Sequence, residues 1–377
     1  MKIKSKMMPL CLAAVLAGST VIPVWASPEF SRTAKEWEKL RDNTLEYGEL
    51  EGLIQEYNTT VLNNRVELGK ETARSSEDFA RKYWDAAANA YDKAEAAAGS
   101  AGAIPAEINA RQAELTAENN TTSMETIRLG YEKTEKGLVM QAQTAMNSYY
   151  QLQNQRNALQ KTREVAEASY RAASTQARPD IGMATQVDVL TAQQNLQSLD
   201  GKLISLEQQI QSTKQKLCVM TGWAVDANPE IMGIPATDLN RIAAMNPETD
   251  LPKALQQDYT LRIDQQKLKN ATSMENTELL TQTVANDKQQ IAVALTTAYR
   301  AVLQAKNAYD QAALDCDVAA GKKSTADQKY QLGTISNLEL LQAQSAWITA
   351  QGEKENQNLA LFQAMETYDW TVKGVRG

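Results

Sequence analysis

Residues 181–197, IGMATQVDVLTAQQNLQ, and residues 332–348, LGTISNLELLQAQSAWI, are two copies of one turn. Each sets a glycine between two long helix-forming runs and follows it with a hydroxyl residue, an acid, aliphatics and an Ala-Gln pair. Gly182 aligns with Gly333, Thr185 with Ser336, Asp188 with Glu339, Leu190 with Leu341 and Ala192-Gln193 with Ala343-Gln344, at an offset of 151. Upstream the register continues at 150, with Tyr149 on Tyr299, Arg156-Asn157-Ala158 on Lys306-Asn307-Ala308 and Thr122 to Glu125 on Thr272 to Glu275. This is an internal duplication, and it constrains the architecture before any single residue is read.

The flanking runs are helical by period. Leu138, Ala142, Ala145, Tyr149, Leu152, Leu159, Ala166 and Tyr170 keep a 4,3 spacing, with Arg156 and Arg163 in the remaining positions. A helix from Met124 to about Arg178, ended by Pro179 and Gly182, would be about 80 Å long at 1.5 Å per residue. The return run, about 185–221, is a heptad of Leu196, Leu199, Leu203, Leu206, Ile210, Thr213, Leu217 and Met220, the pattern of a helix supercoiled on a partner. The second half repeats the plan with the seam Ile291, Leu295, Ala298, Val302, Ala305, Tyr309, Ala312, Cys316 and Ala319, a turn at Gly333 and a return to about Thr371. The fold class is all-α: duplicated long antiparallel helical hairpins.

Boundaries follow from composition. MKIKSKMMPLCLAAVLAGSTVIPVWAS reads as a secretory leader cleaved after about Ala26, with a retained anchor as the alternative. The domains expected are 1–26, signal peptide; 27–118, N-terminal helices with an inserted helical hairpin over about 70–118 that bends at 99–105; 119–222, first long hairpin; 223–252, a proline-rich connector; and 253–377, second long hairpin. Without the leader the chain keeps 36 basic and 46 acidic residues, a balance that disfavours nucleic acid. It has no histidine, and the two cysteines beyond the leader, Cys218 and Cys316, lie in helical runs as expected of buried thiols. No phosphate-binding, dinucleotide-binding or nucleophile-elbow motif occurs, so no metal, cofactor or catalytic residue is assigned, and no enzyme activity is expected.

The duplicated G-x-x-[ST]-x-x-[DE]-[VL]-L-x-A-Q turn, the Ser148-Tyr149-Tyr150 and Ala298-Tyr299 contexts, and the heptad helix after each turn resemble the outer-membrane efflux protein (TolC) family over roughly 120–374. Leu50, Ile54 and Asn58 are similar to that family's opening helix. The resemblance implies an exit duct: a homotrimer forming a hollow helical barrel below a membrane β-barrel. Its turns would meet a periplasmic adaptor (membrane fusion) protein and, through it, an ABC or other inner-membrane exporter. Carried over by position, Gly182, Met183, Ala184, Thr185, Gly333, Thr334, Ile335 and Ser336 are the expected adaptor-docking tip.

One departure from the family pattern bears on localisation. The family's β-strands should fall near 119–123 and 270–276, where only AENNTTSM and KNATSMEN stand, and a transmembrane strand needs about 9–11 residues. The expectation is a TolC-like helical protomer without the barrel, exported to the cell envelope. The outer-membrane association that the family implies is at odds with the missing strands. The competing reading is a structural or interaction coiled-coil protein of the envelope that does not transport.

Overall fold

The computed structural model describes residues 32–72, 76–120 and 124–376. The leader, its cleavage site and Cys11 lie outside them. The chain divides between Arg41 and Asp42. The first unit contains α1 (Ala34–Leu40), started by a capping box in which the Thr33 and Glu36 side chains each accept from the other's backbone N–H. The Arg41 guanidinium lies over the Trp37 ring, 4.6 Å from its centroid.

The second unit begins with β1 (Thr44–Leu45), α2 (Leu50–Tyr57) and α3 (Thr59–Thr72), followed by the paired helices α4 (Ser76–Ala96) and α5 (Ala103–Asn120). The long α6 (Met124–Gln176) and α7 (Gln186–Met220) come next, then β2 (Glu230–Ile231) and α8 (Asn240–Ala244). Helices α9 (Pro247–Gln257), α10 (Tyr259–Asn270), α11 (Met274–Gln331) and α12 (Asn337–Val372) complete it. Helix α9 starts inside the stretch read as a connector, because Asn246 accepts from the Glu248 N–H and Pro247 takes the first position. The strands β1 and β2 pair in parallel through two residues each, so no barrel strand exists among the described residues.

Four long helices dominate. Helix α7 packs on α6, α6 on α12 and α12 on α11, while α7 and α11 share no packed interface. They therefore make one layer with two open edges, not a closed four-helix bundle. The seams are those of the heptads. Leu199, Leu206, Ile210 and Leu217 of α7 are buried, and so are Ile291, Leu295, Ala298, Val302, Ala312 and Cys316 of α11. Arg163 Nε donates to Asp200 Oδ1 at 2.8 Å across the α6–α7 seam, which explains an arginine on an otherwise apolar stripe. Between α6 and α12 the contact is partly polar: Asn154 donates to Asn356 at 3.1 Å, Gln363 to Thr144 at 3.1 Å, and Trp370 Nε1 to Gln143 at 2.7 Å. Paired amides reward one register, because a slip would leave them without partners in a half-buried seam.

The duplication extends to the short helices. Asn58 stands between α2 and α3, and Asp258 between α9 and α10, each capping the helix that follows. Against the first junction packs Gly222, just past the end of α7. Against the second packs Gly374, just past the end of α12. Both glycines have positive φ, 81° and 85°. The two halves thus close on equivalent knots, and a hydrophobic cluster is centred at each. One gathers Leu50, Ile54, Met146 and Phe362, the other Leu261, Ile291, Met365 and Tyr368.

Beside the second knot, Asp264 of α10 and Asp287 of α11 are buried, and the Arg376 guanidinium is 4.0 Å from Asp287. Burial, reinforced by the Asp264 charge, pushes the Asp287 carboxyl above its ordinary range against the pull of Arg376. A raised value means stability fully present in acid and lost as pH rises through the folded-state value. We expect Asp287→Asn to unfold at higher urea than wild type at neutral pH, with the difference vanishing below about pH 4. Equal urea midpoints at both pH values would refute it.

The α4–α5 hairpin interrupts the first half only. Ala87, Ala110 and Ala117 are fully buried along its seam, and Gly99, at φ 82°, opens its bend. Its anchor is Glu118, which is almost completely buried. That carboxylate accepts from Thr272 Oγ1 (2.6 Å), the Ser273 N–H (2.9 Å), Ser273 Oγ (2.8 Å) and Asn276 Nδ2 (2.8 Å) at the start of α11. Burial alone would raise its pKa, but these four donors together hold it below the usual range. The depressed value makes the anchor fully effective above about pH 4 and lost as pH falls through the folded value. Glu118→Ala should cost about 2–4 kcal/mol of local stability. Hydrogen exchange should speed up in α5 while α12 is unchanged, and uniform protection would count against the anchor.

Candidate functional site: the two hairpin tips

Both turns lie where the sequence puts them, at the far end of the helical layer from the knots. The second is a Schellman end: α11 runs to Gln331, Gly333 takes φ 69°, its N–H donates to the Tyr330 carbonyl at 2.9 Å, and the Thr334 N–H donates to the Lys329 carbonyl at 2.9 Å. The first is looser. Pro179 has no N–H to donate and disfavours helix at Arg178, so α6 stops at Gln176. Residues 177–181 form an irregular extension, and the Met183 and Ala184 N–H groups both donate to the Gln176 carbonyl, at 2.9 and 3.2 Å. Gly182 at φ 64° then reverses the chain. The tips are equivalent in place and different in shape.

After each glycine stands the same cap. The Thr185 N–H donates to Asp188 at 2.7 Å and the Asp188 N–H to Thr185 Oγ1 at 3.3 Å. Ser336 and Glu339 repeat this at 2.7 and 3.2 Å. The pKa of Asp188 is lowered, first by the Thr185 hydroxyl and then by its N–H. That of Glu339 is lowered first by the Ser336 N–H. The duplicated acids are thereby accounted for as helix caps. Between caps and helix ends the surface is open. Gly182, Met183, Thr185, Gly333, Thr334 and Ser336 are exposed, Ala184 and Ile335 half-buried, and Met183 is 77% exposed, as is Leu332. A Cβ added at Gly182 or Gly333 would meet nothing within 4 Å, so the room around each glycine is unused within the chain.

The duplicated tyrosines are packing residues. Tyr149 lies edge-on to Tyr150, with centroids 5.4 Å apart, and Tyr299 leans on Tyr368 at 6.1 Å. Cys218 and Cys316 are buried thiols. Among the described residues no group of acidic or sulfur side chains could hold a metal, and no helix is long and apolar enough to cross a membrane.

A feature that the sequence reading missed lies on the open edges of the layer. Val187, Ile204 and Val219 of α7 and Leu279, Val293 and Leu314 of α11 are each more than half exposed. Leu190 and Ile204, and Leu279 and Val293, are two heptads apart but off the internal seam. That spacing was the signal available in the sequence.

No protein-family model and no curated protein matches the chain. Solved structures do. The Campylobacter jejuni CmeC outer-membrane channel aligns at TM-score 0.56 with 10% identity, covering 99% of this chain and 93% of its own. CusC, solved in a study of folding and transmembrane channel formation, aligns at 0.54 with 12% identity, covering 97% and 100%. The outer-membrane channel OprN aligns at 0.53 with 11% identity, covering 97% and 98%. The chain has the fold of these outer-membrane channels. Here the fold is realised almost wholly in helix among the described residues, with α4–α5 standing between α3 and α6 and only three residues between α10 and α11.

Proposed function

We propose that this chain is the protomer of a TolC-like exit duct in the cell envelope, without enzymatic activity, assembling as a homotrimer. The observation that supports this best is the open layer: exposed apolar side chains on its two edge helices, α7 and α11, which no described residue covers. An edge of this kind is closed by a second copy whose α7 meets the first copy's α11, and repetition around an axis closes a ring. The likeness to efflux channels over nearly the whole chain favours the same reading. In it the tips, Gly182 to Thr185 and Gly333 to Ser336, dock the helical hairpins of an adaptor serving an ABC or other inner-membrane exporter. Glycine leaves room there for a partner backbone to approach closely.

The test is the mass of purified residues 27–377 by light scattering in detergent-free buffer. A trimer is the expected result. A monomer at every concentration reached would remove the duct and favour a non-transporting coiled-coil protein of the envelope.

A further inference from the structure

Each repeat supplies one helix running toward the tips, α6 or α11, and one returning from them, α7 or α12. The order α7–α6–α12–α11 joins the outgoing helix of the first repeat to the returning helix of the second. What stays unused is the outgoing α11 and the returning α7, the same two helix types. Their exposed faces duplicate the faces that α6 and α12 bury against each other. Gln143 and Trp370, bonded across the internal seam, correspond to Val293 and Val219, which are 66% and 55% exposed. Asn154 and Asn356, bonded there too, correspond to Gln304 and Ser205, both exposed. We propose that α7 of one copy meets α11 of the next in the register of the chain's own α6–α12 seam, with Gly201 seated against Ala308 of the partner subunit.

Gly201 carries the register. It aligns with Gly352 of α12 at the offset of 151, as Ala308 aligns with Ala158 at 150. At Gly352 the internal seam is close: an added Cβ would lie 3.5 Å from the Asn154 carbonyl oxygen and 4.0 Å from the Ala158 Cβ. Gly201 holds the same place on α7, yet an added Cβ there would meet nothing within 4 Å. Glycine weakens a helix interior, so one repeated at such a point marks where a second backbone comes near. Charge agrees with this. Gly201, Ser205 and Val219 on one helix and Val293, Gln304 and Ala308 on the other are uncharged, in a chain of which 23% is charged. Uncharged strips suit the centre of a contact between proteins, where charged residues are depleted. The register rests on the trimeric reading above, and its test separates the two.

The test is Gly201→Cys with Ala308→Cys in the mature chain, whose own thiols are buried, oxidised with copper phenanthroline and separated without reductant. The 4.0 Å between Cβ positions in the internal pair lies within the roughly 3.5–4.5 Å that a disulfide spans. Covalent dimers and trimers should form at least about tenfold faster than in Gly201→Cys with Asp315→Cys, whose second thiol lies about 10 Å farther along α11. Ser205→Cys with Gln304→Cys, one turn along the same register, repeats the test without adding bulk at the glycine. Ala158→Cys with Gly352→Cys is the reference and should close within one chain. Failure of that internal link would remove the template and the register with it. A trimer by light scattering in which neither pair between copies links faster than the displaced pair overturns the register and leaves the duct standing. A monomeric wild type removes both.

Discussion

Gly374→Ala should destabilise the protein by about 3–4 kcal/mol, although it adds one methyl group to the last turn of the chain. Two costs combine. At φ 85° an L-residue sits in the left-handed region, which costs about 1–2 kcal/mol. The new Cβ would also lie 2.1 Å from the Gln257 carbonyl oxygen and 2.7 Å from Asp258 Cα. Those atoms are backbone at the α9–α10 junction and cannot rotate aside. Moving them would disturb Asp258, which caps α10 through the Leu261 N–H at 2.8 Å and holds Arg376 at 2.8 Å. Gly222→Ala should behave alike, since its Cβ would fall 2.2 Å from Tyr57 Cβ and 2.8 Å from the Tyr57 oxygen. Gly182→Ala and Gly333→Ala are the controls. They have the same backbone conformation and open surroundings, so each should lose only the intrinsic strain of about 1–2 kcal/mol. Urea midpoints of the four variants should fall into two pairs. Equal losses at all four would show that strain alone governs, and the knots would lose their special place.

That contrast also marks how far the sequence could be read. The helical layer was legible because coiled-coil seams are local in sequence: Leu199, Leu206 and Ile210, or Ile291, Leu295 and Val302, declare their face by spacing alone. The turns were legible because glycine, a hydroxyl and an acid at fixed offsets are a capping signature. Their inequality came from Pro179, whose effect on α6 follows from its missing N–H. The knots were not legible. Gly222 and Gly374 look like ordinary helix ends, and what makes them tight is a backbone more than 100 residues away in each case. Asn58 and Asp258, 200 residues apart, differ in type and so concealed that the duplication includes the short helices. Glu118 is a similar case: nothing in AENNTTSM announces that its acid will satisfy four donors on another helix. The open edges were hidden for a different reason. An exposed Ile204 or Val293 is unremarkable singly, and only the order α7–α6–α12–α11 places such residues on edges that no described residue covers.

If the proposed trimer forms, Ile204→Asp together with Val293→Asp should convert it to a folded monomer. Ile204 is 62% and Val293 66% exposed within one copy, so an aspartate at either position is solvated in the isolated chain and leaves its fold intact. In the proposed duct each edge faces a neighbour, and both carboxylates would be withdrawn from water into that contact. Losing the isoleucine and valine contacts removes about 1–3 kcal/mol per side chain, and burying each unpaired charge adds several more. At 1.4 kcal/mol per tenfold, association should weaken by at least about a thousandfold at each interface. Light scattering should give one-third of the wild-type mass, with the helical circular dichroism unchanged. Because each ring uses every edge once, either substitution alone alters all three interfaces, and the double variant should look no different in mass from the more disruptive single one. Gly333→Ala should remain trimeric, since the tips lie apart from the edges. An edge variant that keeps the full mass would place the contact between copies elsewhere and leave the apolar rows on α7 and α11 without a partner in this assembly.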